Sequence, residues 1–137
     1  MADFFIGGTN FGIDAGKSRL DLASGPGGHL LLTVDVHGSQ EVYDRLKADE
    51  ESEWSWTLYP PHFYLHGYPV PAPAKGQAIT VKLKPADADK YDVALYLMEH
   101  NDVKNVTLRV AAGQIEVSGR VDLMGDRRDF RIRWARP

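Results

Sequence analysis

Two polar residues in the first third of the chain have the types and spacing of acid–base chemistry. Asp35 and His37 alternate with apolar residues near segment 30–36, so both lie on one polar face of a predicted strand, about 6.6 Å apart along it. Together with His62, they could form an enzymatic acid–base site. Ser39 is near in sequence, but it lacks the glycine-flanked turn of a serine nucleophile and is better placed to cap a helix.

A second candidate site is the pair His62 and His66, which has the four-residue spacing of helical zinc ligands. Pro60 and Pro61 before the pair and Gly67 after it argue against a helix. In an extended chain four residues span about 13 Å, whereas zinc-bound nitrogens lie within about 2.1 Å of the ion. We therefore predict no metal site here. The absence of cysteine from the chain also excludes cysteine-based metal centres.

Segment 12–18 has part of the spacing of a nucleotide-binding phosphate loop. Three residues, not four, separate Gly12 from Gly16, and the residues after Ser18 alternate like a strand instead of opening a helix. The pattern favours a glycine-rich hairpin, and we predict no bound cofactor.

Two neighbouring segments are rich in the residue types of protein interfaces. Carboxylates crowd the predicted end of a helix, where they oppose its dipole, and aromatic residues fill the stretch that follows. Tyrosine and tryptophan dominate binding hot spots, and exposed rings also suit sugar stacking. The residues predicted to contact a partner are Asp49, Glu50, Glu51, Glu53, Tyr59, Phe63, Tyr64 and Tyr68.

Charge narrows the class of partner. The chain has a net charge of −3, and its first 60 residues hold ten acidic side chains against four basic ones. An acidic surface of this kind favours a protein partner with a basic surface and argues against nucleic acid.

These residues must be positioned by a mainly β fold. Apolar and polar residues alternate with a period of two in segments 91–97, 106–110, 115–123 and 130–134, with turn-forming residues between them. The pattern predicts a four-stranded antiparallel meander near the carboxy terminus. Segments 30–36 and 78–84 add further strands, and one short helix is predicted over about 39–49 with Ser39 as its N-cap. The predicted fold class is an antiparallel β-sandwich or open barrel.

Length and composition predict one domain spanning residues 1–137. The chain has 43% hydrophobic and 26% charged residues, which is typical of globular proteins. The amino terminus has no basic region, and its apolar run ends after Ile6, so it predicts neither a signal peptide nor a membrane span. We expect a soluble, cytoplasmic protein.

The combined pattern favours a non-enzymatic protein-binding domain. An intracellular inhibitor, such as a bacterial immunity protein, is one class that fits a small acidic domain without catalytic motifs. A first alternative is a β domain that binds a small ligand or carbohydrate through the aromatic segment 54–68. A second is an enzyme with a site around Asp35, His37 and His62.

Overall fold

The computed structural model describes residues 2–49, 52–54, 57, 59–73, 77–97, 100–111, 113–123 and 125–135. Within these residues the chain is mainly β. The strands are β1 (Ala2–Ile6), β2 (Thr9–Asn10), β3 (Arg19–Ser24), β4 (His29–His37), β5 (His62–Pro71), β6 (Ile79–Lys82), β7 (Asp92–Tyr96), β8 (His100–Asn101), β9 (Val103–Ala111), β10 (Gln114–Leu123) and β11 (Asp126–Ala135). The α-helices are α1 (Gln40–Lys47) and α2 (Asp87–Lys90), and a short 3₁₀ helix spans Pro26–Gly28.

The strands form two antiparallel sheets. The six-stranded sheet has the order β2-β1-β11-β10-β9-β6, and the five-stranded sheet has the order β3-β4-β5-β7-β8. Among the described strands neither sheet closes on itself, which is the arrangement of a sandwich rather than a barrel. The predicted fold class, mainly β with antiparallel sheets and one short helix after residue 39, is confirmed.

The core lies between the two sheets. Alternate residues of each long strand point inward, and the buried apolar side chains of both sheets form one cluster. Phe63 of β5 and Phe130 of β11 meet across the interior with ring centroids 5.7 Å apart. The residues between the inward-facing ones therefore form the outer faces, where a ligand or partner can reach them.

The predicted carboxy-terminal meander is present, but its first strand has a different neighbour. Strands β9, β10 and β11 follow one another in the six-stranded sheet. Strand β7, predicted as the first member, instead pairs with β5 and β8 in the facing sheet. Alternation identifies the buried face of a strand but not the sheet that the strand joins, which explains the difference.

Helix α1 begins where the sequence predicts. Ser39 is its N-cap, and the Ser39 hydroxyl accepts a hydrogen bond from the Val42 N–H at 3.3 Å. The helix ends at Lys47, so Asp49 lies beyond its last turn. Tyr43 anchors the helix to the core, because its buried hydroxyl lies 2.6 Å from Thr57 Oγ1.

Strand β5 is central to the five-stranded sheet and contains two prolines. Residues 62–65 pair with both β4 and β7, and residue 66 pairs with β7, whereas Pro69 and Pro71 pair only with β4 among the described strands. Proline is tolerated there because that edge needs no N–H donor. Gly67 has a positive φ of 67° opposite a register shift in β4. This shift separates the regular half of β5 from the proline half.

Candidate functional site

The outer surface of the five-stranded sheet carries a compact group of histidine, aspartate and tyrosine side chains. Antiparallel register puts Asp35 opposite Tyr64, and His37 opposite His62. The register between β5 and β7 pairs His66 with Asp92. We call this group the histidine face, and its members are Asp35, His37, His62, Tyr64, His66 and Asp92.

Asp35 is the centre of the histidine face. Its Oδ1 lies 3.1 Å from His62 Nε2 and 2.8 Å from His66 Nε2. Its Oδ2 accepts a hydrogen bond from Arg19 Nε at 2.8 Å. The residue is only 7% exposed, so these three partners replace most of the water that would otherwise solvate its charge.

The environment keeps Asp35 ionised. Burial alone would raise the pKa of this carboxyl, but hydrogen bonds from His66, Arg19 and His62 outweigh burial and lower that pKa to about 2. An ionised carboxylate only accepts hydrogen bonds, so Nε2 of both histidines must carry a proton in this geometry.

His66 connects two carboxylates on different strands. Its Nε2 faces Asp35, and its Nδ1 lies 3.1 Å from Asp92 Oδ2. Both hydrogen bonds form together only when both ring nitrogens carry protons. The ring thereby links β4, β5 and β7 on one surface.

The remaining rings pack in a continuous row. The rings of His37 and His62 stack with centroids 3.8 Å apart and planes 14° from parallel. The centroid of the Tyr64 ring lies 5.4 Å from the ring centroid of His62 and 4.9 Å from that of His66. Burial, and then the charge of His62, lower the pKa of His37 below its ordinary value, which favours an uncharged His37 ring at neutral pH.

A pair of tyrosines extends this row at one end. Tyr96 of β7 pairs in register with His62, and its ring lies 6.4 Å from the ring of Tyr59 in a stacked orientation. Tyr59 is 53% exposed. The row of rings thus ends in an aromatic side chain that solvent can reach.

The structure brings together Asp35, His37 and His62, the residues of the predicted enzyme site. It also brings in His66, because residues 62 and 66 lie on the same side of β5 and their side chains converge on one Asp35 oxygen. The expectation that extended spacing keeps these two rings apart is therefore wrong. Among the described residues, nevertheless, no group of three or more His, Cys, Asp or Glu side chains could hold a metal ion.

The predicted acidic contact segment is only partly described. Glu53 forms a two-point ion pair with Arg128, with oxygen-to-nitrogen distances of 2.8 and 3.2 Å. Asp49 is exposed after helix α1. Glu50 and Glu51 lie outside the described residues. The Glu53 carboxylate therefore has a partner within the fold, which weakens the case for an acidic contact site here.

The predicted aromatic contact residues occupy different environments. Phe63 is completely buried in the core, which removes it from any interface of the folded protein. Tyr64 is 6% exposed and belongs to the histidine face. The Tyr68 hydroxyl donates to Asp87 Oδ2 at 3.3 Å, and its ring packs against Tyr91. Of the predicted aromatic residues, Tyr59 is thus the most accessible.

Cavities are found away from the histidine face. One of about 420 Å³ is lined by residues 83–85, Val93 and residues 102–106. Another, of about 310 Å³, lies on the outer face of the six-stranded sheet. Neither is lined by a member of the histidine face, which presents a surface of side chains rather than a wall of either cavity.

Comparison with known protein families, with curated proteins and with solved structures finds no match to this chain. In the described part of the chain, no helix has the length and apolar character needed to cross a membrane.

Proposed function

We propose that this chain is a protein-binding domain whose interface is the histidine face together with the Tyr59–Tyr96 ring pair. The observation that carries the proposal is the network between β4 and β5 in which Asp35 contacts the rings of His62 and His66 while the rings of His37 and His62 stack. Side chains already held in one geometry lose little conformational entropy when a partner binds. Preorganisation of this kind is a property of good binding surfaces.

The residue types support a macromolecular partner. Tyrosine and arginine are enriched at protein interfaces, where they form the residues that contribute most to binding. Tyr59 and Arg19 are exposed at the two ends of the surface, with Asp35 between them on the sheet. A row of rings on a sheet face suits a protein surface better than a small molecule, which binds in an enclosing pocket.

Charge indicates the kind of protein. Asp21, Asp35 and Asp92 contribute three carboxylates to this side of the sheet, and the permanent cation Arg19 pairs with two of them. When its histidines are neutral, this group of side chains therefore has a net negative charge. The balance favours a partner with a basic surface. We keep the predicted class of partner, a protein with a basic surface, but we place its contact site on the five-stranded sheet instead of segment 49–53. An intracellular inhibitor such as an immunity protein remains the class that we favour.

The test is affinity capture with matched variants. Tagged wild-type protein, the double variant Tyr59→Ala/His66→Ala and the control Arg120→Ala are used to capture partners from a lysate of the source cells. Arg120 is exposed on β10 of the other sheet, where it pairs with exposed Asp129. Support would be one basic protein recovered equally by wild type and control, and reduced at least tenfold by the double variant. Equal recovery by all three proteins would overturn the proposal.

A second candidate function is acid–base catalysis. It is favoured by the Asp35–His62 contact next to a stacked His37 whose pKa is lowered, because a neutral imidazole near a histidine–aspartate pair can accept a proton. The hydroxyl of the nearby Ser18 already has hydrogen-bond partners, because it donates to the Asp14 carbonyl and accepts from the His37 N–H. Hydrolysis of a panel of p-nitrophenyl esters and phosphates, abolished by His37→Gln, would support this alternative.

The small-ligand or carbohydrate alternative has less support. Trp54 is 2% exposed and Phe63 is fully buried, so neither offers a ring face for stacking. Tyr59 and Tyr96 are the pair that a sugar could use.

A further inference from the structure

The outer face of the six-stranded sheet has a hollow of about 310 Å³ whose lining is dominated by arginine. It lies over the three adjacent strands β9, β10 and β11. In one register row Glu116 stands between Arg109 and Arg133, and in the next Ser118 stands between Thr107 and Arg131. We call this site the arginine hollow, and its polar lining is Thr107, Arg109, Glu116, Ser118, Arg131 and Arg133.

The arginine side chains of the hollow form few ion pairs within the described part of the chain. Within the described residues, neither Arg109 nor Arg131 forms an ion pair. The Arg131 guanidinium lies 5.3 Å from the centre of the Phe5 ring, which steadies it without neutralising it. Arg133 contacts Asp3 at a long 3.4 Å.

Arg133 also has a donor without a partner. Its Nε is buried and makes no hydrogen bond within the described part of the chain. Buried donors are almost always paired in folded proteins, and an unpaired one calls for an explanation, such as an ion that binds beside it. This observation singles out the arginine hollow among the charged surfaces of the sandwich.

We infer that the arginine hollow binds the phosphoryl group of a small phosphomonoester. Three guanidinium groups and one carboxylate give its lining a net charge of +2, which matches the charge of about −2 that a phosphomonoester has near neutral pH. Guanidinium groups pair with phosphate oxygens through two parallel hydrogen bonds. The hydroxyls of Thr107 and Ser118 add neutral donors.

The size of the hollow limits the rest of the ligand. Its volume of about 310 Å³ is at the lower end of the range for small-molecule sites, about 300–1,000 Å³. A phosphoryl group with a small organic body fits this space. The site is on the opposite side of the sandwich from the histidine face, so the inference does not depend on the proposed function.

The test is a nitrogen–proton NMR titration of the uniformly labelled protein at constant ionic strength. Inorganic phosphate and phenyl phosphate should each cause saturable shifts of the backbone amides of Thr107, Ser118 and Arg131. Acetate, a monoanion, should bind at least tenfold more weakly than phosphate. Shifts that do not saturate, or acetate binding equal to phosphate binding, would overturn the inference.

Variants separate the hollow from general charge attraction. Arg131→Gln should weaken phosphate binding at least tenfold, and Ser118→Ala should weaken it without any change of charge. Arg127→Gln removes an exposed arginine from the same face of β11, outside the hollow, and should bind phosphate as wild type does. The spectra also report whether each variant is folded. Equal weakening by Arg127→Gln, or no effect of both hollow variants, would contradict the site.

The two phosphate probes distinguish the source of the phosphoryl group. Phenyl phosphate should bind at least as tightly as inorganic phosphate if the site accepts an ester. Binding of inorganic phosphate with exclusion of phenyl phosphate would overturn the ester, because it would mean that the hollow admits only the free ion.

Discussion

The histidine face and the arginine hollow lie on opposite outer surfaces of the sandwich, and they organise charge differently. On the histidine face the Asp35 carboxylate contacts three side chains on two other strands. In the arginine hollow two of the three guanidinium groups have no ion pair within the described residues. Charges satisfied within the protein form a preorganised surface suited to a large partner, whereas unpaired cations are available to a small anion.

The comparison depends on which residues of each strand face the core and which face solvent. Strand β11 offers the test of this assignment with the largest expected effect. Trp134 is 4% exposed in the core, whereas its neighbour Arg133 lies on the outer face. Trp134→Ala should lower the free energy of unfolding by about 3–5 kcal/mol, and Arg133→Ala by less than about 1 kcal/mol. Urea titrations of both variants measure the difference. Equal, small losses would mean that the faces are inverted.

The contrast in charge pairing predicts unequal costs for removing one carboxylate from each surface. Asp35→Ala should lower the free energy of unfolding by about 2–3 kcal/mol, because two histidines and Arg19 lose their shared acceptor. Glu116→Ala should change it by about 0.5 kcal/mol or less, as is usual for exposed charges. Chemical denaturation at neutral pH compares them. Similar costs at the two positions would remove the proposed difference between the surfaces.

Acid should selectively weaken the histidine face. Hydrogen bonding lowers the pKa of Asp35 from 3.8 to about 2 in spite of its burial, so the folded state binds this proton less readily than the unfolded chain. The contribution to stability is therefore complete above about pH 5 and is lost as the pH falls toward 2. We expect it to be about 1–2 kcal/mol after allowance for solvent screening.

The pH measurement compares wild type with Asp35→Asn in urea titrations between pH 6 and pH 2. The wild-type advantage should shrink as the pH falls through this range. A difference that stays constant with pH would show that the Asp35 carboxyl has the same pKa in both states.

The smallest effect concerns His37. Burial and the charge of His62 lower its pKa from 6.5, so its NMR titration should have a midpoint below that value. His62→Ala removes both the stacked ring and its charge, and it should move the midpoint of His37 upward. A wild-type midpoint at or above 6.5, or no change in the variant, would contradict the described stack.

Much of the fold could be predicted because it depends on local periodicity. Alternation in segments such as 30–36 and 115–123 identified the buried faces, and Ser39 marked the start of helix α1. The sheet that β7 joins could not be predicted, since strand pairing between β5 and β7 is a long-range choice without a local signal. Strand β1 pairs with β11 at the far end of the chain, a contact that periodicity does not specify.

The candidate site was predicted in part for the same reason. Asp35 and His37 share a face by strict alternation, so their proximity followed from one strand. The contribution of His66 was missed because spacing along β5 measures backbone separation and not the reach of two side chains toward a third residue. Arg19 and Asp92 come from neighbouring strands, and only their pairing register brings them to Asp35 and His66.

Hydroxyl-radical footprinting of the complex with the captured partner tests the central claim most directly, because it measures side-chain accessibility without any substitution. The proposed interface predicts that oxidation of Tyr59 and His66 falls at least severalfold when the partner binds. Oxidation of Phe5, on the outer face of the opposite sheet beside Arg131, should stay unchanged. Protection of Phe5 while Tyr59 and His66 remain as reactive as in the free protein would contradict binding through the histidine face.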